Sequence, residues 1–153
     1  MFWKRRQNQR VLFEDALKHV YDCEYRKTEA TTVSLSESLR MKPKKTAALV
    51  LNMEQHGLLR IAGQAIHLTP HGRAWALQVI RAHRLWESYL VDEVGMPLDK
   101  VHEQAELKEH SITPAQADRI EAQLGYPLRD PHGDPIPTSD HAIDYKKGTM
   151  QIG

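Results

Sequence analysis

Apolar residues recur at helical spacing through most of this chain and alternate only briefly. Phe13, Ala16, Leu17, Val20 and Tyr21 share one face, which predicts a first amphipathic helix from Phe13 to about Arg26. The polar stretch Lys27 to Thr32 leads to Val33–Leu39, a second, short helix. Pro43 sits where the first turn of a helix tolerates a missing N–H, and Gly57 where a helix ends in a left-handed residue, so they frame a third. Three helices separated by short turns are the layout of a helix-turn-helix. Leu58–Ala62 and Ala65–Leu68 flank Gly63-Gln64 and read as a small hairpin, which in this position is a wing.

Beyond the hairpin the pattern stays helical. Thr69-Pro70-His71-Gly72 opens a long helix expected to run to about Glu93, and Gly95-Met96-Pro97 breaks it. A further helix spans Leu98 to His110, and Thr113-Pro114 starts another that Gly125 stops near Leu124. Pro127, Pro131, Gly133, Pro135 and Pro137 then predict an extended tail without regular structure. The expected fold is mainly α: an N-terminal winged helix-turn-helix, three helices plus a small β-hairpin wing, followed by an all-helical domain. The expected divisions are a basic N-terminal segment 1–10, the winged helix 11–73, the helical domain 74–137 and a flexible tail 138–153.

Charge changes this picture more than composition does. The formal net charge is only +1, but residues 1–60 carry +5 and residues 61–153 carry −4. A basic half that can meet an anionic partner therefore precedes an acidic half with another task. A single cysteine, Cys23, excludes an intramolecular disulfide and a four-cysteine zinc site, and fits a reducing, cytoplasmic setting. The start, Met1-Phe2-Trp3-Lys4-Arg5-Arg6-Gln7, is basic without an apolar run behind it, so it is not a signal peptide, and no stretch is apolar enough to span a bilayer.

The candidate chemistry lies in the acidic half, where most of the nine histidines fall. His102, Glu106, Glu109 and His110 follow one another at spacings of four, three and one, so Glu106, Glu109 and His110 can converge on one helix face. The long helix adds His83 and Glu87, four apart. His83/Glu87 alone reads as a solvated face; the four residues, with this pair nearby, point to a divalent cation that the two helices could hold between them. The zinc-protease pattern His-Glu-x-x-His fails because Glu106 follows His102-Glu103, and neither a Gly-rich phosphate loop nor a nucleophile elbow is present, so no enzyme is expected.

These residues also carry a family resemblance. Arg81–Val91, Gly95–Glu106, Glu109-His110 and Pro131-His132-Gly133-Asp134-Pro135-Ile136-Pro137 resemble the diphtheria toxin repressor family of metal-dependent transcriptional regulators, most nearly its two-domain manganese-type members. The likeness covers roughly residues 12–137, and in the basic half it rests on the winged-helix layout and on Met53-Glu54 with Gly57. It implies a homodimer that binds an operator in double-stranded DNA when Mn²⁺ or Fe²⁺ is bound, with Zn²⁺, Co²⁺ or Ni²⁺ able to substitute in vitro. By motif it assigns Asp15, Glu106, Glu109 and His110 to the main metal site, and His83, Glu87 and His102 to an ancillary site. Cys23 is left without a ligand role, because Glu106 stands where the iron branch has cysteine. Lys18 occupies the position of a second first-helix carboxylate in the manganese branch, which argues against a two-metal cluster of that type. The chain ends before the SH3-like third domain of the iron branch, which implies a weaker ancillary site.

The metal would clamp Asp15 of the basic half to ligands of the acidic half. For DNA the expected contacts are Lys44, Lys45 and Thr46 at the start of the third helix, with Arg60 or Gln64 from the wing. His132 and His141 are expected to be solvent-exposed and not ligands. The resulting expectation is a cytoplasmic Mn²⁺/Fe²⁺-dependent repressor of metal-uptake genes. An alternative is the cytoplasmic regulatory domain of a metal-ion ABC permease, fused or excised, for which Trp3-Lys4-Arg5-Arg6 with Arg10 would be the membrane flank.

Overall fold

A computed structural model of the chain describes residues 2–140, so His141 and the end of the expected tail lie outside the described residues. Among the described residues there are six α-helices and one hairpin, and the chain divides into two compact units, Met1–Ala76 and Leu77–Gly153.

In the first unit α1 spans Phe2–Tyr25, α2 Thr32–Leu39 and α3 Pro43–Gln55. α1 starts well before Phe13: residues 2–12 hold no Gly or Pro and several Lys, Arg and Gln, so the basic segment continues the helix. Thr31 caps α2 through a reciprocal pair with Ser34, and Arg40 ends it in the left-handed region with φ of 56°. Strands β1 (Leu59–Ala62) and β2 (Ala65–Leu68) pair antiparallel, Leu59 opposite Leu68 and Ala62 opposite Ala65. Leu17, Val20, Leu35, Val50, Met53, Leu58, Leu59 and Ile66 form the buried centre of this unit. Glu24 ties its edge together, accepting from the Leu68 amide at 3.2 Å and pairing with Arg73. The indole N–H of Trp75 donates to the buried carboxylate of Glu14 at 2.7 Å.

α4 (Pro70–Tyr89) opens with the Thr69 hydroxyl accepting from the Gly72 amide at 3.0 Å. Gly72 lies so close to the Leu58 carbonyl that an added Cβ would stand 2.0 Å from its oxygen, which makes glycine obligatory there.

In the second unit α4 loosens into a single π-helical turn, Leu90–Val94, closed by Gly95 at φ 76°. α5 (Leu98–Lys108) tightens into a 3₁₀ turn at Glu109–Ser111, and α6 (Pro114–Gln123) starts from a Thr113 cap with Gln116 reciprocating. Ala82, Leu85, Ile112, Ala117 and Ile136 make a core cluster, against which Trp86, Ile120 and Leu124 pack. Ile136 belongs to the Pro/Gly-rich segment expected to hold no regular structure. That segment holds no helix, but it is folded: Arg129 and Pro135 form an isolated bridge, the Ile136 amide donates to the Leu128 carbonyl at 3.0 Å, and Arg84 donates to the Pro135 carbonyl. Burial of one isoleucine and these backbone pairings overcome the Pro/Gly composition. No helix among the described residues is long and apolar enough to cross a membrane.

Candidate metal centre

α4 and α5 bring His83, Glu87 and His102 together. One ligand atom from each forms a near-equilateral triangle: His83 Nε2 to Glu87 Oε2 3.1 Å, His102 Nδ1 to Glu87 Oε2 3.3 Å, and His83 Nε2 to His102 Nδ1 3.2 Å. Donors about 2.0–2.2 Å from one cation, at angles of 90–110°, stand about 3.0–3.6 Å from one another, so the triangle has the edge lengths of a coordination face. His83 and Glu87 are buried, whereas His102 is exposed.

With neutral rings, one edge of this triangle, His83 Nε2 to Glu87 Oε2, has no donor. His83 Nδ1 lies 2.6 Å from Glu109 Oε1, and an ionised carboxylate only accepts, so the ring proton sits on Nδ1. With the ring neutral, Nε2 presents a lone pair to the Glu87 oxygen, whereas a proton on His102 Nδ1 can serve either neighbour. A cation, or a second proton on the ring, resolves the conflict. A metal-binding histidine is oriented in this way by a carboxylate behind it. Burial pushes the Glu87 carboxyl up, but with His83 in its doubly protonated form the hydrogen bonds from His83 and Asp130 and the charges of His83 and His132 more than offset this and bring it down to about 2.

Glu109 is buried and bridges two imidazoles, Oε1 facing His83 Nδ1 and Oε2 lying 3.2 Å from His110 Nε2. Glu106 is half-exposed, its carboxylate 3.5 Å from His102 Nε2. No candidate ligand group among the described residues includes Glu106. Asp15 is half-buried on α1 in the first unit.

Two residues absent from the expected ligand sets approach Glu87 from the turn after α6. His132 Nδ1 lies 3.3 Å from Glu87 Oε1, and a carboxylate oxygen of buried Asp130 lies in the same group. His132 is exposed as expected, but its imidazole is engaged with Glu87. The sequence signal was Asp130-Pro131-His132-Gly133-Asp134, in which an Asp opening a tight turn can accept from amides two and four residues on. Burial, followed by the Glu87 contact, pushes the Asp130 carboxyl up to about 6.

On the first unit Lys44 and Lys45 are exposed at the start of α3, and Arg60 and Gln64 are exposed on the hairpin. Thr46 departs from expectation. It has no exposed surface, and its hydroxyl donates to the Lys42 carbonyl at 3.1 Å, so it closes the first turn of α3 and has no face to offer DNA.

Residues 69–138, which contain α4 to α6 and the folded turn, match the family described as iron dependent repressor, metal binding and dimerisation domain. Across the longer span the chain is 37% identical over 122 residues to the iron-dependent repressor IdeR of Mycobacterium leprae, covering 79% of this chain and 53% of that protein. The chain belongs to the diphtheria toxin repressor family. Identity to the diphtheria toxin repressor of Corynebacterium diphtheriae is 32% over 125 residues, 81% of this chain and 55% of that protein. A manganese-dependent transcriptional repressor in complex with manganese superposes with a TM-score of 0.78 at 36% identity, over 84% of this chain and 59% of that one. This family member thus spans about half the length of the curated relatives it matches.

Proposed function

We propose that this chain is a divalent-metal-dependent DNA-binding repressor of metal-uptake genes, with Mn²⁺ or Fe²⁺ as its effector. The carrying observation is the His83–Glu87–His102 triangle with Glu109 behind His83, a ligand face already oriented by its supporting carboxylate. The repressor relatives named for iron and for manganese support the same reading.

In this reading His83, Glu87 and His102 hold one cation, and Glu106, Glu109 and His110, with Asp15, hold the activating one. The second set is rich in oxygen and has no thiolate, which suits Mn²⁺ and Fe²⁺; the Irving–Williams order leaves selection against Zn²⁺ and Cu²⁺ to geometry and availability. A bound cation supplies positive charge to buried carboxylates. The protein supplies the rest: Glu109 fixes the His83 ring, and α4 and α5 present their ligands from opposite sides. The first unit acts as a winged helix-turn-helix, with Lys44 and Lys45 of α3 and Arg60 and Gln64 of the hairpin directed to DNA. Lys contacts to phosphate set affinity rather than sequence choice. A homodimer would present two copies of α3 to half-sites about 34 Å apart on a two-fold operator. Metal and operator binding are then linked, and each tightens the other by the same factor.

The test is a mobility-shift titration of a metal-uptake promoter with Mn²⁺, Fe²⁺ or chelator. Retardation is expected only with metal, and it should fall for Asp15→Ala, His110→Ala and Glu106→Ala. Absence of retardation with every divalent ion at low salt overturns the reading.

A further inference from the structure

We propose that α3 reads its operator through the C5-methyl group of pyrimidines, so that thymine and 5-methylcytosine are accepted at the same positions and uracil and cytosine are not. This inference rests on the DNA-binding part of the function proposed above and concerns how the same helix chooses a sequence. Thr46, Leu49, Val50 and Met53 turn into the first unit, which leaves Lys44, Ala47, Ala48 and Leu51 on the outward side of α3. Leu51 is 51% exposed, on a helix whose other large apolar side chains are buried. From Ala47 to Leu51 the exposed positions carry only methyl groups and one isobutyl group, so this stretch offers a base edge no hydrogen bond. The amide side chains of α3 come later: Asn52 is half-buried, and Gln55 ends the helix. Gln55 stands about 18 Å along the axis from Pro43, whereas the major groove is about 12 Å wide and is read by the first turns of a recognition helix.

Charge complementarity names the partner of this strip. Arg40, Lys42, Lys44 and Lys45 are all exposed around the start of α3, and no acidic residue lies between Glu37 and Glu54. Exposed apolar side chains beside such a cluster of cations fit a surface that is anionic at its rim and apolar at its floor. The major groove of a thymine-containing duplex has this character, with phosphates along both edges and C5-methyl groups projecting from the base pairs. A hydrogen-bonding side chain would tell thymine from cytosine by the O4 acceptor against the N4 donor. Alanine and leucine lack that means, and respond to the methyl group that thymine and 5-methylcytosine share. The lysines then hold the helix on the backbone while Ala47, Ala48 and Leu51 select the bases.

The test is selection of tight-binding duplexes from a random-sequence pool by the full chain with Mn²⁺, followed by titration of a selected duplex with single pyrimidines exchanged. Thymine is expected at recurrent half-site positions. Changing such a thymine to uracil removes one methyl group and keeps every hydrogen-bonding group, and it should weaken binding about fourfold, the worth of one buried methyl group. Cytosine at the same position should bind at least as weakly as uracil, and 5-methylcytosine should recover about fourfold over cytosine. Leu51→Ser, at an exposed position, should stay folded and lose the thymine-to-uracil difference at one position. The double variant K44A/K45A should weaken all of these duplexes and keep their ratios. Equal affinity for thymine and uracil duplexes, or for cytosine and 5-methylcytosine duplexes, overturns the methyl readout while metal-dependent DNA binding stands. A selected set without recurrent thymine does the same, and unchanged ratios in Leu51→Ser remove that residue from the contact. If the chain retains no duplex at low salt with any divalent ion, the repressor reading falls and the readout with it.

Discussion

Single residues carry most of the chemistry, and some of their roles depend on one contact. His83 is a ligand candidate because Glu109 holds its Nδ1 proton, turning Nε2 toward Glu87. His19 is a different kind of histidine. Its Nε2 lies 2.9 Å from Ser34 Oγ and 3.6 Å from Cys23 Sγ, and burial lowers its pKa against a smaller opposing pull from Asp22. The unfolded chain therefore takes up this proton near the ordinary histidine value of 6.5 while the folded chain does not. Its contribution to stability is complete above that pH and is lost as pH falls toward the lowered value. Thermal melts from pH 7 to pH 5 should show a steeper loss for the parent than for His19→Gln; identical slopes would refute this. Thr46 is a second single-residue case. Thr46→Ala removes the bond to Lys42 and should cost about 1 kcal/mol of stability by denaturant titration, while the salt dependence of DNA binding stays as it was.

At the scale of elements, local signals in the sequence were followed closely. Pro43 opens α3, Thr113 caps α6 and Gly95 ends the π-helical turn, because caps and left-handed residues act on backbone groups a few positions away. The His83/Glu87 pair was equally legible, since a spacing of four fixes a shared helix face. The start of α1 was less so, because the apolar periodicity that marks a helix begins in the sequence only at Phe13. Gly72 reads in sequence as a first-turn residue of α4, but its role is close approach to Leu58. Gly72→Ala should lower stability by about 1–3 kcal/mol, since backbone must shift to admit the methyl group; an unchanged melting temperature would show that α4 can slide freely.

For the whole molecule, the charge division between the basic and acidic halves is the property with the widest consequence. If Lys44 and Lys45 meet phosphates, replacing both by Ala should weaken DNA binding about equally across sequences. The log–log salt slope should fall by roughly 0.9 for each phosphate no longer neutralised, measured by titration at several salt concentrations. Metal content of the free variant should not change. An unaltered salt slope would move the DNA surface away from the start of α3.

The sequence by itself determined the order of helices, the hairpin, the charge division and the helical His/Glu faces, all of which depend on residues a few positions apart. Tertiary structure decided which atoms meet. Glu109 reaches His83 across 26 residues and His132 reaches Glu87 across 45, contacts set by where the turns after α5 and α6 carry the chain. The Pro/Gly-rich segment becomes a folded turn because Ile136 finds a place in the core and Asp130 accepts from two amides. Periodicity along one element cannot encode such meetings, since they arise from packing between elements that are distant in sequence.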